Sequence, residues 1–231
     1  AGGPGARASE LAVVTVGAAA LGAVTGWLID ADVAVFTGGA AAISGALAGW
    51  RGTYQWGEVR GWASFVLDHT WALVPGIGGL IAHGVAAASG SGGYIDELSH
   101  RQNRHVYRGG LRLKRGYALT IGNVISAAGN VERPSRRRLI TDHEDVHIWQ
   151  ARTFGPLYPV AYVGWSITGA LWGVVVWLRR RGSEPGPVSL GKAVETCSYY
   201  CNPFEWWAYS RGGNWPPGGK VPGLGWRKAA A

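Results

Sequence analysis

Methionine is missing from this chain of 231 residues, and cysteine occurs only twice. Two cysteines cannot build a disulfide scaffold, so packing or a membrane must hold the fold together. With no methionine, the chain is expected to begin after a processed initiator. Charge is scarce too: Asp, Glu, Lys and Arg make up 16% of the residues, against about 25% in an ordinary soluble domain. That scarcity argues against a cytosolic enzyme and for a membrane-associated protein. The net charge of +8 comes mostly from arginine, much of it between Arg101 and Arg138. It favours an anionic lipid surface or an acidic partner. Specific nucleic-acid binding is not expected, because no reading motif accompanies the charge. The first ten residues lack a basic n-region and a cleavage site, so no cleaved signal peptide is expected.

Glycine and tryptophan are abundant, at 38 and 13 residues. After a short flexible lead over residues 1–10, two uncharged apolar stretches follow, Leu11–Ile29 and Val33–Trp50, broken by Asp30-Ala31-Asp32. Each approaches the ~20 residues that cross a bilayer as a helix. Small residues recur at helical spacing: Ala18, Gly22 and Gly26 in the first, Ala41, Gly45 and Gly49 in the second. Such stripes let membrane helices approach closely. In water these helices would be poor, because each glycine costs roughly 1 kcal/mol of helix propensity. Residues 11–50 are therefore expected to form a transmembrane helical hairpin, with a protein partner packing on its small-residue faces. Arg51 and Arg60 follow the second helix while the connecting turn is acidic, which directs both ends of the hairpin to the cytoplasm.

Residues 51–94 are rich in Trp and Gly and suit an interfacial or re-entrant segment, with His69 and His83 in ordinary polar contacts. From residue 95 the character becomes soluble. Arg104–Arg108 and Leu111–Lys114 alternate apolar and basic residues about Gly109-Gly110, which predicts a hairpin. Tyr117–Ile125 predicts a further strand ending near Gly122-Asn123. Arg136-Arg137-Arg138 is expected to meet lipid headgroups or solvent.

The chemistry concentrates in Thr141-Asp142-His143-Glu144-Asp145-Val146-His147. On a helix His143 and His147 share one face and can grip one metal ion, with Glu144 placed to reach a metal-bound water. A rival, purely structural role for Glu144 is a capping box with Thr141. Downstream, Asn202-Pro203 is a good helix start, which puts Glu205 in the first turn of a second helix. These two motifs, over about residues 141–209, resemble the zincin metallopeptidases, and specifically the gluzincin branch. The resemblance implies zinc on His143, His147 and Glu205, Glu144 as general base, and a peptide as substrate. It also implies an oxyanion donor, with Tyr158, Tyr199, Tyr200 and Tyr209 as candidates, and a strand over Tyr117–Ile121 above the metal that pairs with substrate or is plain sheet. Asp142 could partner a ligand histidine. Asp145 departs from the family pattern, in which this position is uncharged; it is compatible with catalysis or marks a retired site.

The expected fold is therefore α+β and mainly α: the membrane hairpin, a small zincin-like domain over 95–211 with a short sheet and the HExxH helix, and an irregular tail over 212–231. A conflict arises at Val160–Leu178, an apolar run closed by Arg179-Arg180-Arg181. A single crossing there would separate Glu205 from both histidines. The segment is accordingly expected not to span, but to form a core helix, a re-entrant hairpin through Gly164, Gly169 and Gly173, or an interfacial helix. Ser183–Pro187 reads as a loop. Cys197 and Cys201 read as a structural thiol pair ahead of a helix break, with a Cys metal site or a disulfide as lesser alternatives. The location is the cell membrane, with the HExxH domain on its cytoplasmic face. The reading from a different class is a non-catalytic membrane subunit whose metal site is structural or degenerate.

Overall fold

A computed structural model describes residues 4–90, 93–180 and 188–230. The chain is mainly helical, with one small sheet, and divides into two compact units, residues 1–156 and 157–231. The expected loop at Ser183–Pro187 lies outside the described residues, as do the first three residues of the lead.

In the first unit, helix α1 (Pro4–Trp27) pairs along its length with α2 (Ala31–Arg51). Most of the expected lead is thus already helical. Asp30 caps α2 by accepting from the Asp32 amide at 2.8 Å, and Gly52 ends it in the left-handed region at φ 60°. The small residues are used inside the hairpin. A Cβ on Gly45 would lie 2.5 Å from the Ala18 Cβ, and one on Gly22 would lie 2.6 Å from the Ala41 Cβ. Thr37 closes the seam by donating to the Gly22 carbonyl at 2.7 Å. The outward faces carry large apolar side chains such as Val16, Val24, Phe36 and Ile43. Gly45→Val should therefore destabilise the protein by about 1–3 kcal/mol through overpacking. Gly39→Ala, where a Cβ meets nothing within 4 Å, should leave the thermal midpoint in detergent unchanged or slightly raised.

Helices α3 (Val59–Asp68) and α4 (Leu73–Ala88) meet at a bend of 86°, the shape of a broken span or a re-entrant loop. With α7 (Leu157–Arg179) of the second unit, α1 and α2 make three helices long and apolar enough to cross a membrane, or up to four crossings if α3 and α4 form one. This is consistent with a membrane location.

The sheet differs from the expected one. Strands β1 (His105–Val106), β2 (Leu119–Ile121) and β3 (Val124–Ser126) lie in the order β1-β3-β2. Residues 111–114 form no strand, and β1 pairs in parallel with β3 instead of folding back at Gly109-Gly110. The tight hairpin is β2–β3, turned at Gly122-Asn123 with Gly122 at φ 57°. Gly122 suits that turn because it adopts positive φ without strain. β1 and β3 are buried and β2 is a half-buried edge. Around them pack Ile95, Leu98, Ala128, Val131, Ile140 and Ile148. The last two flank the HExxH stretch and anchor it to the sheet.

A buried polar network ties the same helix down. Arg152 of α6 (Asp145–Phe154) is 2% exposed, and its Nε and one terminal nitrogen reach the two Asp68 carboxylate oxygens at 2.8 and 2.9 Å. Asp68 also accepts from Tyr54 at 3.0 Å and Asn123 at 3.1 Å, while Arg152 donates to the Asn103 carbonyl at 2.6 Å. Burial, and next the Asp68 charge, push the Tyr54 phenol well above its usual range, which keeps it a donor. Arg136, in α5 (Pro134–Arg138), was expected to meet headgroups or solvent and instead bonds to backbone. Its guanidinium donates to the carbonyls of Gly116, Ala127 and Ala128 and fastens the loop before it.

In the second unit α7 is one unbroken helix, and only Gly169, Gly173 and Val176 on it are buried. It is therefore neither a core helix nor a re-entrant hairpin. The chain after it returns along it. Gly173 packs on Ala193 and Val194 of α8 (Leu190–Glu195), Gly169 packs on Cys197 and Ser198, and Tyr162 bonds Glu205 in α9 (Pro203–Arg211). Glu205 thus comes back to the end of α7 at which that helix began. Within the second unit, a crossing by α7 would therefore not carry Glu205 away from the end at which that helix began. The chain after α9 is irregular over its described residues, yet Leu224 is buried and Trp226 stacks on Trp206 with centroids 4.4 Å apart.

Candidate metal centre

The HExxH stretch is not a uniform α-helix. Residues Leu139–Glu144 form a π-helical turn that runs directly into α6. Such single wide turns are often found at functional sites. Both imidazoles are buried, at 3% and 6% exposure, and their Nε2 atoms lie 3.2 Å apart. Two nitrogens bound tetrahedrally to one zinc at ~2.0–2.1 Å would be about 3.3 Å apart. The histidine pair already has the spacing of two ligands.

Each neighbour of the pair has a definable task. Gln150, one turn on, places its amide oxygen 2.8 Å from His147 Nδ1. Nδ1–H donating there leaves the Nε2 lone pair directed at the second histidine, the usual way an outer partner orients a metal-bound imidazole. Asp142, expected as such a partner, is instead exposed and accepts from the Thr141 hydroxyl at 2.6 Å. The capping box is absent as well: Glu144 accepts from Thr120 of β2 at 2.6 Å. Asp145, the departure from the zincin pattern, is held by Arg104 at 2.6 Å and Arg60 at 3.0 Å. Its charge is thereby compensated by two guanidinium groups.

In the second unit, Asn202 caps α9 by accepting from the Phe204 amide at 3.1 Å, and Pro203 occupies the first turn, as the Asn-Pro pair implied. Glu205 therefore lies where backbone N–H groups favour a carboxylate. It is 3% exposed and accepts from Tyr162 at 2.7 Å. Among the four tyrosines considered, Tyr199 feels the charge of this carboxylate. Burial, and next the Glu205 charge, push its phenol far up, so it stays protonated and able to donate. The Tyr209 hydroxyl lies 3.5 Å from that of Tyr199. Tyr158 packs edge-on against Phe204, and Tyr200 packs at Gly219.

Taken together, His143, His147 and Glu205 make a buried His-His-Glu group that could hold a metal ion, each residue offering one ligand atom. It is the one such group of three found among the described residues. The other buried histidines are occupied elsewhere. His105 bonds Tyr94 at 3.0 Å and is kept neutral by burial, His83 bonds Tyr107 at 2.7 Å, and His69 meets the Phe65 carbonyl at 2.7 Å. Cys197 and Cys201 are buried, free thiols.

Thr120, Gln150 and Tyr162 were not visible as site residues in the sequence. Gln150 lies three residues beyond His147 and could have been found by helical spacing. Thr120 and Tyr162 could not, since each reaches its partner through tertiary packing. The chain matches no protein-family model, and no curated protein or solved structure shows detectable similarity to it.

Proposed function

We propose that this chain is a membrane-associated, zinc-dependent metallopeptidase that holds one zinc ion on His143, His147 and Glu205. The observation that carries the reading is the buried His143–His147 pair, its Nε2 atoms 3.2 Å apart, with Glu144 beside it. Zinc bound there supplies Lewis acidity towards water and the scissile carbonyl. Glu144 removes the proton of the attacking water and returns it to the leaving amine. Thr120 holds the Glu144 carboxylate by one oxygen and leaves the other for the water. Tyr199 donates to the oxyanion as it develops. The half-buried edge strand β2 offers its backbone to an extended peptide, which suits an unfolded polypeptide better than a folded one. The basic residues after α2 support a cytoplasmic position for the HExxH stretch.

The test uses the full chain in lipid nanodiscs with an unstructured polypeptide as substrate. Peptide release that stops with 1,10-phenanthroline and resumes with added zinc supports the reading. Release no greater than that of Glu144→Gln excludes it and leaves a non-catalytic membrane subunit.

Thr120 gives a finer prediction. Thr120→Val should lower kcat by about 10- to 100-fold, with zinc content and KM unchanged, and Thr120→Ser should restore most of the rate. Equal loss in Thr120→Ser would show that only the packing of β2 matters.

A further inference from the structure

The second unit contains a cavity of about 540 Å3 that the proposed chemistry does not use. Its size falls within the ~300–1,000 Å3 of small-molecule sites. Trp165 and Trp172 of α7 form one wall, and Cys197, Cys201, Leu224 and Trp226 form the others. Two glycines shape it. A Cβ on Gly169 would collide with the Cys197 carbonyl, and one on Gly225, which sits at φ 64°, would collide with the Cys201 sulfur. Stacking on Trp206 and a 2.9 Å hydrogen bond from its Nε1 to the Cys201 carbonyl hold Trp226 in place.

The lining selects the ligand class. No charged side chain lines the cavity. The Thr168 hydroxyl is spent on the Gly164 carbonyl at 2.9 Å, and the Trp226 N–H on Cys201. No charged group is there to bind an ionic headgroup, so recognition comes from apolar burial. A slender, unfunctionalised hydrocarbon chain fits that description. Its source follows from the helix that forms the wall. α7 is long and apolar enough to cross a membrane, and Ile167 and Leu171 beside the cavity are 58% and 65% exposed. A chain lying along that surface only has to turn inward and never passes through water.

We propose that this cavity takes one acyl chain of a bilayer phospholipid, clasped between α7 and the returning Cys197–Trp226 segment. The site is independent of the metal centre. Neither Cys197–Cys201 nor Leu224–Trp226 belongs to a helix long enough to span, so labelling of these segments by a lipid chain is diagnostic.

The experiment places the full chain in phosphatidylcholine vesicles in which one acyl chain carries a diazirine. After irradiation, adducts are mapped by mass spectrometry. Adducts are expected on Cys197–Cys201 and Leu224–Trp226 as well as on α1 and α2. In Thr168→Trp, which fills the cavity from an exposed position, the first two sets should fall to background while those on α1 and α2 persist. Thr168→Leu, a smaller filling, should reduce them partially and guards against misfolding of the larger variant. Labelling of α1 and α2 without the two diagnostic segments in the wild type would overturn the proposal. So would diagnostic adducts undiminished in both variants, or adducts obtained from a photoreactive free fatty acid alone.

Discussion

In Glu144→Gln, peptide hydrolysis should fall by about 100- to 10,000-fold, the usual contribution of a positioned general acid–base. The substitution keeps the shape of the side chain and an oxygen able to accept from Thr120, so folding and zinc content should stay at wild-type level. Glutamine cannot take the proton of the attacking water, and the loss should appear in kcat with little change in KM. Parallel measurement of rate and bound zinc checks this. Loss of zinc together with activity would place Glu144 in the ligand set. A rate close to wild type would remove it from the chemistry.

The second large effect concerns stability. Asp68→Ala leaves the Arg152 guanidinium buried opposite an apolar methyl, and removes the acceptor used by Tyr54 and Asn123. Breaking a buried pair from one side costs about 3–5 kcal/mol, because the remaining charge stays uncompensated. Chemical denaturation in detergent should show a loss of that size. The double variant Asp68→Leu/Arg152→Leu should recover part of it, since an apolar pair no longer strands a charge. Because Arg152 lies five residues after His147 on α6, zinc affinity should weaken alongside. A loss under 1 kcal/mol in Asp68→Ala would show that the network is not what fixes α6.

How far the sequence could be read depended on the range of the interactions involved. The α1–α2 hairpin was legible because apolar length and small-residue spacing are properties of a short stretch, and Ala18, Gly22, Ala41 and Gly45 do meet as their spacing implied. The start of α9 was legible for the same reason: Asn202 and Pro203 act on their immediate neighbours. The sheet was not. β1 has two residues and pairs in parallel with a strand nearly twenty positions on, too little pattern and too long a separation for alternation to signal. The path after α7 misled for a different cause. Hydropathy marks a helix able to cross but says nothing about return, and the packing of Gly173, Gly169 and Tyr162 that brings Glu205 back is tertiary. Asp145 read either as compatible with catalysis or as the mark of a retired site. Only the positions of Arg60 and Arg104, 85 and 41 residues away in sequence, show that its charge is matched.

The proposed function rests on one metal ion held by His143, His147 and Glu205. It is tested most directly by metal analysis of the purified wild-type chain beside His147→Ala and Glu205→Ala. We expect about one zinc per chain in the wild type, as for a three-ligand catalytic site, and loss of that zinc in both variants. Wild type without zinc, or variants that retain it in full, would contradict the account.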